Sequence, residues 1–326
     1  MIRIALMNRH YRDFFAELTG RAVYRAVALR LGRNRDAGVL HRVLLWVLPA
    51  YILSLIIVYF LGAMIAFTFL YWGTHAVNTW HQAFLASGSA LNTLGFATPT
   101  TFAGQWLAVP EGALGLGIVV FLFTFIPGYQ AVIRSREDKT SWLYTRIGDQ
   151  PNGVALLEWC QRAGIAGDMR DVWEEWEDWF RMLADTHSVL PMLTLSPSVQ
   201  AGQSWVLAAA VVLDAAALAA SSPETKDAES AKICLRTGTR ALGAIADALG
   251  RACPNQQGMA CPLRERCGAM RACLCSAGMP GRTEINGEVR SEEFFSLRRQ
   301  YEEAVFFVAR RTFASLDGIL AETTER

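Results

Sequence analysis

The residues best suited to chemistry form one short run of backbone carbonyls. Four consecutive residues could coordinate a cation in this way: Thr93, Leu94, Gly95 and Phe96. Carbonyl oxygens that all point to one side can replace the hydration shell of an ion. Gly95 suits such a run, because turning successive carbonyls to one side requires a φ value that glycine reaches at low cost. The sequence therefore predicts an ion-binding segment.

Three neighbours are expected to hold this segment rather than touch ions: Ser89, Asn92 and Ala97. Ser89 and Asn92 carry short polar side chains that hydrogen-bond readily to nearby backbone groups. Ala97 continues the segment toward its outer end. These residues are predicted to support residues 93–96 from behind.

The elements that must position the segment are two apolar stretches, residues 43–72 and 112–133. Between Arg42 and Arg134 the only formally charged side chain is Glu111. Each stretch reaches or exceeds the ~20 residues that a helix needs to cross ~30 Å of hydrocarbon. Both are predicted to be transmembrane helices.

Residues 81–91 predict a helix of about three turns, which is too short to span a bilayer. The sequence therefore predicts a re-entrant pore helix and filter over about 79–98. Non-helical backbone at membrane depth is tolerated where protein buries it or where it lines a water-filled path. A pore satisfies that requirement.

The order of span, short helix, Thr-Leu-Gly-Phe and span resembles the pore module of two-span potassium channels over about residues 40–135. The family filter reads Thr-Val-Gly-Tyr-Gly, so residues 93–96 match its first four positions. The resemblance implies a tetramer with potassium as the permeant ion, in which the second span lines an inner cavity. The chain has a single pore loop, so copies must enclose the axis.

The outer end of the filter departs from the family pattern at Ala97 and Thr98. Ala97 stands at the second glycine of the family, where a positive φ would cost an alanine on the order of 1 kcal/mol. A different outer conformation is therefore expected, and cation conduction is better supported than potassium selectivity. Filters with one glycine also resemble those of certain potassium transporters, which carry four pore repeats in one chain.

The second span is expected to begin at Pro110-Glu111, with Glu111 as an N-terminal cap. Pro127-Gly128 is expected to interrupt it near its inner end. The predicted gate comprises four residues: Phe125, Ile126, Pro127 and Gly128. Phe125 and Ile126 would form the apolar constriction.

Basic residues set the predicted topology. Residues 1–42 contain nine arginines against three acids and predict a basic interfacial helix. Arg134, Arg136 and Lys139 follow the second span. By the positive-inside rule, both ends lie in the cytoplasm of a multi-pass inner-membrane protein. The arginine-rich start is not expected to be a cleaved signal peptide.

Residues 134–326 predict a helical cytoplasmic domain, with a last helix expected over 294–320. Trp173, Trp176 and Phe180 fall on one helix face and predict a core contact. Residues 203–218 are apolar but include Asp214, which favours a buried core helix over a third span. His187 and Asp214 are candidates for a buried polar contact.

Five of the seven cysteines lie close together: Cys253, Cys261, Cys267, Cys273 and Cys275. Their spacing lacks the Cys-x-x-Cys pairs of zinc ribbons, so they are only weak metal candidates, and redox-sensitive thiols or an irregular insertion are equally open. A net charge of +1 gives no reason to expect nucleic-acid binding. No nucleophile and base pair, phosphate loop or cofactor motif is evident, so no enzyme is expected.

The sequence thus predicts an all-α membrane protein with domains at 1–42, 43–133 and 134–326. Its expected function is a cation channel, with potassium favoured and with membrane lipid and further copies of the chain as partners. The domain at 134–326 would regulate it through a ligand that the sequence does not identify. The alternatives are a membrane-anchored sensor or signalling protein whose cytoplasmic helices carry the function and, less favoured, an ion-transporter subunit.

Overall fold

The computed structural model describes residues 14–31, 37–149, 151–200, 202–221, 227–252 and 293–314. All regular elements in these ranges are helices. The chain divides into two compact units. We call Asp13–Val23 with Pro49–Ile133 the apolar unit, and Tyr24–Leu48 with Arg134–Arg326 the bundle unit. The all-helical prediction is confirmed for the described residues.

The first helices are α1 (Phe14–Leu31), α2 (Ala37–Leu45) and α3 (Val47–Gly73). The helix predicted near the start of the chain is thus present as α1. Helix α3 has 27 residues and no charged side chain, and its bounds agree with the predicted first span to within a few residues. Its length and composition allow it to cross a membrane.

Helix α4 (Trp80–Leu91) is the predicted short helix, displaced by one residue at its start. The Thr79 side chain caps it by accepting the Gln82 N–H at 3.2 Å. Its 12 residues reach about 18 Å, well short of a bilayer core. The chain leaves the helix at Asn92 and continues without regular structure to residue 101.

Helix α5 (Phe102–Ile147) corrects two expectations about the second span. It begins about two turns before Pro110, where the Thr101 hydroxyl accepts the Gly104 N–H, so Pro110-Glu111 does not open it. It also continues through Pro127-Gly128 without a break. A proline removes only one backbone donor, and a helix of 46 residues retains enough bonds on either side to persist.

The bundle unit contains α6 (Gly153–Arg162), α7 (Arg170–His187), a 3-10 turn at Pro191–Leu195, α8 (Trp205–Ala220), α9 (Ala228–Ala252) and α10 (Glu302–Thr312). Helices α7 and α8 each pack against α9, α6 packs on α8, and α10 packs on α9. Trp173, Trp176 and Phe180 are buried in this core, as predicted.

Helix α8 is a core helix, as the sequence favoured. Every residue of it except Leu218 is buried within the bundle unit. Asp214 is tolerated there because the Tyr301 hydroxyl donates to its Oδ1 at 2.6 Å and Arg298 lies 3.6 Å from its Oδ2. Burial raises the pKa of Asp214, while the charge of Arg298 opposes that shift.

The expected contact between His187 and Asp214 is wrong. The Nε2 atom of His187 lies 3.3 Å from the Arg136 guanidinium, and its Nδ1 lies 2.8 Å from the Thr186 hydroxyl. Burial, with help from the charge of Arg136, holds the pKa of His187 well below its usual range. Both residues are buried, as a polar contact in the core would require, but their partners lie elsewhere in the fold.

Arg136 is fully buried in the last third of α5, and its contacts hold that part of the helix within the bundle unit. Its guanidinium donates to the carbonyls of Leu193 at 3.2 Å and Ser196 at 3.0 Å, and it pairs with Glu137 at 2.8 Å. It also lies 5.3 Å from the ring centre of Trp205. This cation is therefore not simply a flanking charge at the membrane surface.

Two sets of expectations fall outside the described residues. The cysteine cluster at Cys253, Cys261, Cys267, Cys273 and Cys275 lies wholly outside them. The helix expected over 294–320 is described only as a helical segment at 293–298 and as α10.

Candidate ion-conduction site

The four predicted filter residues lie directly after α4, in the apolar unit. The sign of φ alternates along this segment: Asn92 has φ −84°, Thr93 +55° and Gly95 +71°, while Leu94 and Phe96 are not among the positive-φ residues. Such alternation sends successive N–H groups to one side and carbonyls to the other. The positive φ predicted for Gly95 is confirmed.

The N–H groups of the segment turn back toward the end of α4. Leu94 donates to the Ser89 carbonyl at 2.9 Å, and Gly95 donates to the same oxygen at 3.5 Å. Ala97 donates to the Ser89 hydroxyl at 3.0 Å. Ser89, which is buried, therefore accepts three N–H groups from this part of the chain, two at its carbonyl and one at its hydroxyl.

The carbonyl oxygens of residues 93–96 behave differently. Among the described residues, no hydrogen-bond donor contacts any of them. The side chains of Leu94 and Phe96 are 66% and 65% exposed, so the chain does not cover the segment. Carbonyls left without partners need water or an ion, because an unsatisfied buried carbonyl costs free energy comparable to a lost hydrogen bond. The segment thus presents a row of free acceptors.

Backbone strain marks the same segment. Thr93 is one of only three described non-glycine residues with positive φ, together with His75 and Phe313. This conformation costs a β-branched residue on the order of 1–2 kcal/mol. Local strain of this kind persists where surrounding contacts impose it, often at functional sites. Here the Thr93 N–H donates to the Ala90 carbonyl at 3.0 Å, and the Leu94 N–H donates to the Ser89 carbonyl at 2.9 Å.

The other two support residues differ from each other. Asn92 is exposed and caps α4, its side-chain amide donating to the Gly88 carbonyl at 2.8 Å. Ala97 is half-buried and does not adopt a positive φ. The alternation of φ therefore stops before the position where the potassium-channel filter has its second glycine.

Close packing against α5 fixes the end of α4. A Cβ atom at Gly115 would lie 1.8 Å from the Leu91 carbonyl oxygen, so only glycine allows this approach. A Cβ at Gly112 would lie 3.4 Å from the Ala90 carbonyl. The carbonyl end of α4 thus rests on a glycine face of α5, with the filter segment directly after it.

The predicted gate residues lie within continuous helix. The Phe125 ring stacks on that of Phe121, with centroids 5.3 Å apart, and lies 6.1 Å from that of Tyr129. Ile126, Pro127 and Gly128 are exposed. A single chain forms no constriction there, so any gate requires further copies.

Sequence reasoning missed the role of one residue, Glu111. It was expected to cap the start of the second span, but it is fully buried and its Oε1 lies 2.5 Å from the Ser87 hydroxyl. The available signal was its isolation as the lone charged residue between Arg42 and Arg134. A charge retained in such an apolar context indicates a specific partner.

Metal chemistry has no support in the described ranges. No group of three or more His, Cys, Asp or Glu side chains is placed there to hold a metal ion. The two described cysteines, Cys160 and Cys234, are buried, and burial raises the pKa of Cys160 to about 11. These thiols are suited to packing rather than to reaction.

Comparison with known proteins adds no assignment. No protein family matches this chain, and no match to it was found among curated proteins or solved structures.

Proposed function

We propose that this protein is a membrane cation channel that conducts through the backbone carbonyls of residues 93–96. The observation that carries the proposal is the separation of backbone groups in that segment. The N–H groups of Leu94 and Gly95 bond to Ser89, whereas the carbonyls of residues 93–96 have no partner among the described residues. Carbonyls presented in this way suit a dehydrated cation.

A closed ring of identical copies completes the site. One chain supplies a single wall of carbonyls, and rotational symmetry turns that wall into a channel. Four copies and potassium follow from the resemblance of Thr93–Leu94–Gly95–Phe96 to the two-span potassium channels. Potassium is then the permeant ion, and the protein carries out no catalysis.

The surfaces of α3 and α5 support a membrane setting. In the most apolar 18-residue stretch of each helix, the chain itself buries only 17% of α3 and 11% of α5. Apolar surface of this extent requires lipid or another protein surface to cover it. We assign it to lipid and to neighbouring copies, in an inner-membrane protein with both ends in the cytoplasm, as the arginine distribution favours.

The bundle unit is assigned a regulatory role. Arg136 lies three residues beyond Ile133, the last residue of the apolar unit, and is held by the carbonyls of Leu193 and Ser196. A rearrangement of the 3-10 turn would therefore move the part of α5 that carries Arg136. We place the gate at Phe125, Ile126, Pro127 and Gly128, about two to three turns before Arg136 on the same helix.

The test is ion flux into liposomes that contain the purified full chain. Uptake of radioactive rubidium, driven by internal potassium, is expected for the wild type. Internal sodium is expected to drive less uptake than internal potassium. Gly95→Ala should reduce uptake at least about tenfold, because an L side chain is strained at positive φ. Space is not the cause, since a Cβ at Gly95 meets no atom within 4 Å.

Gly117→Ala is the matched control. A Cβ at Gly117 also meets no atom within 4 Å, and this glycine does not have a positive φ. Wild-type uptake is therefore expected from this variant. Absence of flux from wild-type protein, or equal flux from Gly95→Ala, would refute conduction through this segment and favour the membrane-anchored sensor.

A further inference from the structure

Glu111 is a fully buried carboxyl group in a segment that offers it no opposite charge. Residues 49–133 contain no lysine or arginine, and the side chain of Glu111 has no exposed surface. An isolated buried charge is costly, and a buried polar group is retained where hydrogen bonds hold it. The hydrogen bonds of the Glu111 carboxyl group therefore indicate its role.

Three helices of the apolar unit meet at this carboxyl group. The Ser87 hydroxyl on α4 lies 2.5 Å from Glu111 Oε1 on α5 and 3.0 Å from the Met64 carbonyl on α3. The Tyr71 hydroxyl on α3 faces the same carboxyl group. Among the described residues, neither that hydroxyl nor Glu111 Oε2 has a hydrogen-bond partner at normal distance. Ser87 is thus the side chain that joins Glu111 to α4.

Ser87 and Ser89 occupy opposite faces of α4. Residues two positions apart along an α-helix lie about 200° apart around its axis. Ser87 faces Glu111 and α3, whereas Ser89 faces the segment that follows and accepts the N–H groups of Leu94 and Ala97. A rotation of α4 that broke the Ser87 bond would displace Ser89 and release those donors.

We propose that Glu111 is a positioning residue for the filter. Its bond to Ser87 fixes the rotation of α4, and Ser89 then holds residues 94–97 in the conformation that presents their carbonyls. This inference rests on the proposed channel function and adds to it a determinant of ion selectivity. If α4 could rotate, the carbonyl oxygens would shift, and the filter would accept sodium as well as potassium.

The experiment compares Glu111→Leu with Glu111→Gln. Glutamine keeps an oxygen for Ser87, so its potassium-to-sodium flux ratio should stay within about twofold of the wild type. Leucine fills the volume without an acceptor, and its ratio should fall about tenfold. Rescue by the polar isostere separates positioning from simple packing. An unchanged ratio in Glu111→Leu overturns the proposal, as does an equal loss in both variants.

A second variant and a second readout keep the test decisive. Ser87→Ala removes the partner hydroxyl from a helix that tolerates alanine well, and it should lower the ratio as Glu111→Leu does. If Glu111→Leu fails to assemble, an unchanged ratio in Ser87→Ala overturns the proposal.

Hydrogen exchange in detergent measures the positioning itself. The amides of Leu94 and Ala97 should exchange about tenfold faster in Ser87→Ala than in the wild type, because Ser89 no longer holds them. Equal exchange in both proteins overturns the inference. Wild-type protein that conducts no ions refutes the channel function itself, and exchange still reports whether Glu111 positions the segment.

Discussion

The two units treat their apolar helices in opposite ways. In the bundle unit, α8 is covered on almost every side by its own chain. In the apolar unit, the chain buries only 17% and 11% of the most apolar 18-residue stretches of α3 and α5, respectively. Burial of apolar surface drives folding, so surface left open in a folded unit must be covered by something else. Under the proposed function, lipid and further copies cover this surface of the apolar unit.

Polar groups show the same contrast. In the bundle unit, the guanidinium of Arg136 and the carboxylate of Asp214 are buried with several partners each. In the apolar unit, the carbonyls of residues 93–96 have no donor among the described residues. The bundle unit thus satisfies these polar groups internally. The free acceptors of residues 93–96 are the groups to which the proposed function assigns a cation.

The largest expected effect tests the self-sufficiency of the bundle unit. Arg136→Gln should lower its free energy of unfolding by about 3 kcal/mol, because carbonyls of the 193–197 segment and Glu137 lose a buried partner. The midpoint of thermal unfolding, followed by tryptophan fluorescence, measures the loss. Arg134→Gln, at an exposed position on the same helix, should leave the midpoint unchanged. Equal midpoints for both variants would contradict the claim that the bundle unit depends on its internal polar contacts.

The next effect concerns the internal packing of the apolar unit. Gly115→Ala should destabilise the contact of α4 with α5 by about 2 kcal/mol, since its Cβ would overlap the Leu91 carbonyl. Rubidium uptake and the assembled fraction on size-exclusion chromatography should both fall. Gly117→Ala, two residues further along, meets no atom within 4 Å and is the control. Normal uptake from Gly115→Ala would show that this close approach is not needed.

A smaller effect is the pH dependence of the bundle unit. The pKa of His187 is lowered in the folded state, mainly by burial and also by Arg136, so the unfolded chain binds more protons below about pH 6.5. Stability from this residue is therefore complete above pH 6.5 and falls by about 1 kcal/mol between pH 6.5 and 5.5. Thermal unfolding of His187→Gln should show a shallower slope over that range. An identical slope would place the titration elsewhere.

The smallest effect concerns the proposed gate. Phe125→Ser should raise basal rubidium uptake about threefold, because a small polar side chain weakens an apolar constriction. Phe123→Ser is the matched control, since Phe123 is 78% exposed on the same helix and is assigned to lipid. Equal uptake from both variants would move the gate away from Phe125.

Local signals in the sequence predicted much of the fold. The start of α4 was predicted to within one residue, because residues 81–91 form a short run of the length of about three helical turns. The positive φ of Gly95 and the buried face of Trp173, Trp176 and Phe180 also follow from residue type and spacing. Each of these features depends on neighbours within a few residues along the chain.

Features that depend on distant contacts were not predictable in the same way. The start of α5 was placed at Pro110, because proline favours first turns, yet the helix extends past it on both sides. Arg136 was interpreted as a flanking charge, whereas its partners lie near residue 195. The contact of Glu111 with Ser87 spans 24 residues along the chain, and no periodic pattern encodes it.

The most direct test of the central claim is a map of the purified full chain in lipid nanodiscs, viewed along the membrane normal. The account predicts four copies around one axis, with the carbonyl oxygens of residues 93–96 facing it and ion density between them in potassium. A monomer, or a ring in which those oxygens face protein or lipid with no continuous path along the axis, would contradict it.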